Sequence, residues 1–213
     1  RSYLINNPTI LVDVSKALRK KEAQDAQSVA KNAIENNKQA IFDTNNTPVY
    51  GNKNGTIQVV EFYDYQCGHC KAMTPVLDDI IKSNKDVKII SRDFPIFGKN
   101  SLYAAQASIA AYQLNKAKYY NLHQELMSIG GPLDQATVDK AIKKSGYNLK
   151  AIKKMVNSAI VKKEIANNYQ LAKVLKLGGT PAFIIGNADL TRFNFIPGAT
   201  SEKFIQQAID NLK

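Results

Sequence analysis

The sequence predicts an α/β fold in which a sheet carries an inserted helical domain and is preceded by a helical arm. Three observations predict it. From Ile57 onward the apolar periodicities run strand, helix, strand, long helical block, strand, strand, helix, the order expected when strands and helices pack in layers. Residues 1–42 carry only narrow helical stripes, and residues 43–56 between them and the first strand are dense in turn formers. The 213 residues suffice for one ordinary domain plus a substantial appendage. With 44% hydrophobic and 22% charged residues, global disorder, a collagen-like chain and a disulfide-dense mini-protein are excluded.

Taken in order, Leu11, Val14 and Leu18 recur at helical steps in the arm, followed by Ala23, Ala26, Ala30 and Ala33 with Val29 and Ile34 nearby. Charged and amide residues fill the other faces, so the arm has too little apolar mass to fold alone and needs another surface. That surface is either a second copy of the arm, which would make a homo-oligomer with a dimer favoured, or the chain's own main domain. Asn45 to Pro48 and Gly51 to Gly55 read as a linker or short hairpin. Ile57 to Tyr65, rich in Ile, Val, Phe and Tyr, reads as a buried strand. Met73, Val76, Leu77, Ile80 and Ile81 then share a helical face that Pro75 should kink. Val87 to Ser91 is a second strand. The inserted domain spans residues 99–177, broken near Gly130-Gly131-Pro132 and Gly146, and the sheet domain comprises residues 57–98 and 178–213. The latter closes with strands at Ala182 to Ile185 and Arg192 to Ile196 and a helix using Phe204, Ile205, Ala208, Ile209 and Leu212.

The 29 basic and 18 acidic residues give a net charge of +11. Ten lysines lie between Val138 and Lys176 against Asp139 and Glu164. Nucleic-acid binding would want arginines and stacking aromatics among them, and this stretch has no arginine and only Tyr147 and Tyr169. A solvated basic face is expected instead, with no nucleic-acid partner. No stretch approaches the ~18 uninterrupted apolar residues of a membrane helix, so a soluble mature chain is expected. The chain opens at Arg1 without methionine or an apolar targeting segment, as after removal of a signal peptide or trimming of the terminus.

Both cysteines lie in Cys67-Gly68-His69-Cys70, where a strand opens directly into a helix. Unpaired N–H groups and the positive dipole end of that helix favour a thiolate at Cys67, the expected nucleophile. Cys70, three residues on, shares its helical face and is the natural resolving thiol. His69 adds a donor near the Cys67 sulfur, which would make the disulfide a better oxidant. Three other readings compete. Structural zinc needs four ligands, and Cys67, Cys70, His69 and His123 are poorly spaced for it. Cu(I) could sit on the two thiolates, because soft ligands select it. An inert disulfide in so short a loop would stabilise little.

The run Val59-Val60-Glu61-Phe62-Tyr63-Asp64-Tyr65-Gln66-Cys67-Gly68-His69-Cys70, with Gly179-Thr180-Pro181-Ala182-Phe183, resembles the DsbA-like branch of the thioredoxin-fold oxidoreductases. Ala104-Ala105 through Gln113, Lys118-Tyr119 and His123 to Met127 are similar to that branch's inserted helical domain, and the arm resembles those of oligomeric DsbA-like and DsbC-like bacterial proteins. The resemblance covers Ile57 to Lys213 and implies a thioredoxin fold with an inserted helical domain and an N-terminal oligomerisation arm. It implies a periplasmic thiol–disulfide oxidase or isomerase without a cofactor or metal, acting on cysteine-containing proteins and served by a membrane redox partner. Thr180-Pro181 matches the family's cis-proline loop, which offers backbone to substrate. Glu61 matches the buried acid that relays the Cys70 proton, the plain alternative being a solvent-facing strand-end glutamate. The family's basic partner for that acid has no aligned counterpart, Lys88 included. His123 is expected to bond within the helical domain.

Overall fold

The computed structural model describes residues 2–213, apart from the side chains of residues 4, 19, 20 and 22–27. Ala23 and Ala26 of the predicted arm stripe lie outside the described residues. The arm is a short helix α1 (Ser2–Asn6) and a helix α2 of 33 residues (Thr9–Ile41), about 50 Å long at 1.5 Å per residue. The sheet has five strands, β1 (Val49–Gly51), β2 (Ile57–Tyr63), β3 (Val87–Asp93), β4 (Ala182–Gly186) and β5 (Phe193–Ile196), in the order β1-β3-β2-β4-β5. Only β2 and β3 are parallel, and they are joined through α3 (Gly68–Ser83), which runs on through Pro75. The inserted domain holds α4 (Lys99–Leu114), α5 (Tyr119–Met127), α6 (Gln135–Lys144), α7 (Leu149–Met155) and α8 (Ala159–Val174), and α9 (Glu202–Asp210) ends the chain. Asp134, Asn148, Ser158 and Ser201 cap α6, α7, α8 and α9 with side-chain oxygens, satisfying first-turn N–H groups.

The period-two alternation of the strands sorts the core onto two faces of the sheet. Ile57, Val59, Ile89, Phe183 and Ile185 pack with Met73, Leu77 and Ile80 of α3 and with Ile205 and Ile209 of α9. Val60, Phe62, Ile90 and Ile184 pack on the opposite face with Ile34 and Ile41 of α2 and Leu171 of α8. A third cluster joins Tyr65, Cys67 and Cys70 to the inserted domain, so the two cysteines sit where the domains meet.

Two sequence expectations change here. The stretch read as a linker or short hairpin contains β1, which pairs antiparallel not with a neighbouring strand of a hairpin but with β3, as Val49↔Ile90 and Tyr50↔Ile89. Its Val49 and Tyr50 are buried, and only the flanking turns have the composition of a linker. Globular packing also begins before residue 57, because α2 enters the core through Ala30, Ile34 and Ile41. Its last turn is gripped by Arg92 of β3. The Arg92 Nη2 donates to the carbonyls of Ala40 (2.7 Å), Ile41 (3.0 Å) and Asp43 (2.8 Å), groups that a helix end leaves unpaired. The Arg92 Nη1 donates to Glu164 (3.0 Å) and Asn168 (3.2 Å) of α8. The arm's start is different: Tyr3, Ile5, Leu11, Val12, Val14 and Leu18 are all exposed. The two surfaces left open for the arm by its composition are thus both in play, with its last turns on its own domain and these six apolar side chains uncovered.

Candidate active site

β2 ends at Tyr63, and the chain turns through Asp64 into α3, for which Cys67 is the N-terminal cap residue. Asp64 builds the turn. One carboxylate oxygen accepts from the Gln66 N–H (2.7 Å) and the Ser101 hydroxyl (2.7 Å), the other from the N–H groups of Ile96 (2.7 Å) and Phe97 (3.0 Å), and the Asp64 carbonyl accepts from the Cys67 N–H (3.0 Å). One buried side chain therefore ties the cysteine turn to the β3–α4 loop and to α4. Its role was not anticipated from the sequence, although an aspartate bonding backbone two residues on is a recurrent turn device that could have shown it.

Cys67 and Cys70 are both buried. The Cys67 Sγ lies 3.2 Å from the Thr180 carbonyl oxygen, to which the thiol donates, and the Thr180–Pro181 bond is cis. Cys70 lies close to Cys67, and burial, with the nearby Glu61 charge second, pushes its thiol far above the ordinary range. Glu61 follows Ile57 and Val59 on the sheet face covered by α3 and is 1% exposed, which rules out the solvent-facing alternative. Burial raises its carboxyl to about 8. Its Oε2 has no hydrogen-bond partner among the described residues. Lys88, in register with Gln58, falls on the other face of the sheet. Thr180 Oγ1 is likewise buried and unpartnered among the described residues.

His69 is exposed, and among the described residues no hydrogen bond joins its ring to the Cys67 sulfur. His123 is buried, its Nδ1 3.1 Å from the Tyr65 hydroxyl, with Tyr63, Tyr119 and Tyr120 around it. Burial lowers it to about 3, so it is neutral at physiological pH and serves packing. Lys71, unremarked in the sequence, reaches from α3 to the Ile129 carbonyl and fastens the two domains beside the site. Among the described residues no group of three or more His, Cys, Asp or Glu side chains could hold a metal ion. None of the described helices is long and apolar enough to cross a membrane.

A two-cysteine turn at a helix N-terminus, a proline loop facing its first sulfur and a buried acid on the α3 face of the sheet define a thioredoxin-fold dithiol protein. Residues 58–210 match the DSBA-like thioredoxin domain, and the chain belongs to that family. Residues 1–25 match the N-terminal domain of the copper resistance protein ScsC. The thiol:disulfide interchange protein DsbA of Bordetella pertussis is 24% identical over 152 residues, 68% of this chain and 71% of that one. Among solved structures, the thiol-disulfide exchange protein α-DsbA2 of Wolbachia pipientis is 32% identical with a TM-score of 0.80, covering 88% of this chain and 97% of that one. BcfH of Salmonella enterica Typhimurium is 28% identical with a TM-score of 0.85, covering 99% and 91%. The protein is a DsbA-like thiol–disulfide oxidoreductase.

Proposed function

We propose that the protein forms or rearranges disulfides in extracytoplasmic, most simply periplasmic, proteins, with Cys67 as the exchanging sulfur and Cys70 as the resolving one. The observation that carries this is the asymmetry of the pair: Cys67 caps α3 beside the Thr180 carbonyl, whereas Cys70 is fully buried near Glu61. In the oxidase direction a substrate thiolate attacks the Cys67 sulfur, the Cys67–Cys70 bond breaks, and Cys70 leaves with the electron pair. A buried thiolate is costly, and Glu61, protonated at neutral pH, donates its proton to Cys70 and regains one from solvent. A second substrate thiolate then attacks the substrate sulfur and releases reduced Cys67. In the isomerase direction reduced Cys67 attacks a substrate disulfide, and Cys70 frees the enzyme if rearrangement stalls. Thr180 and Pro181 present backbone to the substrate chain, and a membrane redox partner sets which direction dominates.

Cys67→Ser should abolish exchange, and Cys70→Ser should accumulate mixed disulfides with substrate, read on non-reducing gels after acid trapping. Equal trapping by both variants would overturn the assignment.

The exposed apolar residues from Tyr3 to Leu18 support a homo-oligomer, with a dimer favoured, because pairing of two arms hides a stripe that one copy leaves in water. Two Cys67 centres around a shared cleft favour isomerisation. Deleting residues 1–28 should yield a monomer that oxidises dithiothreitol but refolds scrambled substrates poorly, and light scattering on the intact protein should find more than one copy at micromolar concentration. A second reading, Cu(I) handling by the same two thiolates, draws on the match of residues 1–25 to the copper resistance family. Stoichiometric Cu(I) binding without disulfide exchange would favour it.

A further inference from the structure

Beside the active site an open groove of about 770 Å³ runs between α2 and α9, floored by Thr180 and Pro181. Its walls come from distant parts of the chain: Val29 on the arm helix, Leu177 before the proline loop, Phe195 on β5 and Phe204 on α9. Val29 is 43% and Phe204 52% exposed, so two of the apolar side chains that line this recess are open to solvent. The placement of Val29 follows from the anchoring of α2. Ala30, Ile34 and Ile41 are buried on the domain and Arg92 holds the last turn, so Val29, next to the buried Ala30, is held alongside the groove.

We propose that the arm helix is a wall of its own chain's substrate groove, with Val29 a specificity-determining residue that selects an extended polypeptide bearing a bulky apolar side chain near the reacting cysteine. This rests on the assignment of Cys67 as the exchanging sulfur. The occupant follows from continuity. A polypeptide disulfide-bonded to Cys67 leaves that sulfur beside the Thr180 carbonyl, 3.2 Å away, and Thr180 is the groove floor. Because Thr180 both touches Cys67 and lines the groove that Val29 and Phe204 line, the residues entering the groove are the reacting cysteine's near neighbours in sequence. An unfolded chain supplies such apolar side chains, whereas a folded protein keeps them inside.

The test uses the full-length oxidised protein, dithiothreitol and two synthetic dithiol peptides that differ only in having leucines or serines beside the reacting cysteine. Wild type should oxidise the leucine peptide about tenfold faster than the serine peptide at subsaturating concentration, with the difference in KM rather than kcat. Val29→Glu should collapse that ratio toward one, Val29→Leu should keep it, and Phe204→Ser, outside the arm, should reduce it independently of any change in oligomeric state. Equal rates for the two peptides with wild type, or an unchanged ratio in Val29→Glu, would overturn the proposal. Failure of wild type to oxidise dithiothreitol would instead refute the exchange chemistry.

Discussion

Replacing Glu61 by glutamine keeps the shape of a fully buried side chain and removes its ionisation. Burial raises the Glu61 carboxyl from the ordinary 4.5 to about 8, so between those values the folded protein holds a proton that the unfolded chain has released. Stability therefore falls as pH rises through this window, by up to about 1.4 kcal/mol per unit. At pH 7 the accumulated cost is about 3 kcal/mol, and it levels off above pH 8. The assay is urea unfolding of the reduced protein and of Glu61→Gln at half-unit steps from pH 4.5 to 8.5. The difference between the two curves isolates Glu61, because every other titrating group is common to both. The variant's stability relative to wild type should rise by about 3 kcal/mol between pH 4.5 and 7. If the two profiles run parallel within about 0.5 kcal/mol, the carboxyl is ionised in the folded protein and the proton donation assigned to it fails.

His123 acts with the opposite sign. Held neutral and lowered to about 3 from 6.5, it lets the unfolded chain bind the extra proton as pH falls below 6.5, so wild type should lose about 2 kcal/mol between pH 7 and 5 from this group. His123→Gln should flatten that slope in the same unfolding series whatever its effect on absolute stability. Arg92→Met strands the buried Glu164 carboxylate and frees the α2 carbonyls, which should cost about 3–5 kcal/mol. Hydrogen exchange should quicken in residues 34–42 before it does in β2, and uniform exchange would show that Arg92 does not anchor the arm.

How much was legible in the sequence depended on the range of the interaction. The order of strands and helices after Ile57 and the placement of Cys67 at a helix N-terminus rest on local periodicity, which neighbouring residues determine by themselves. The alternation of Ile57 and Val59 also places Glu61 on one side of its strand, but only the tertiary structure covers that side with α3 and buries the acid. β1 escaped detection because a three-residue edge strand carries almost no periodic signal and acquires its structure from β3. The docking of the arm's last turns was equally illegible, since Arg92, which holds their end carbonyls, lies more than fifty residues away in sequence. His69 shows the reverse: its neighbours in sequence place it beside both cysteines, yet the first turn of α3 points it to solvent. Local chemistry thus determined which residues could react. Long-range packing decided which of them are desolvated, and desolvation moves the protonation of Glu61 and Cys70 into their working states.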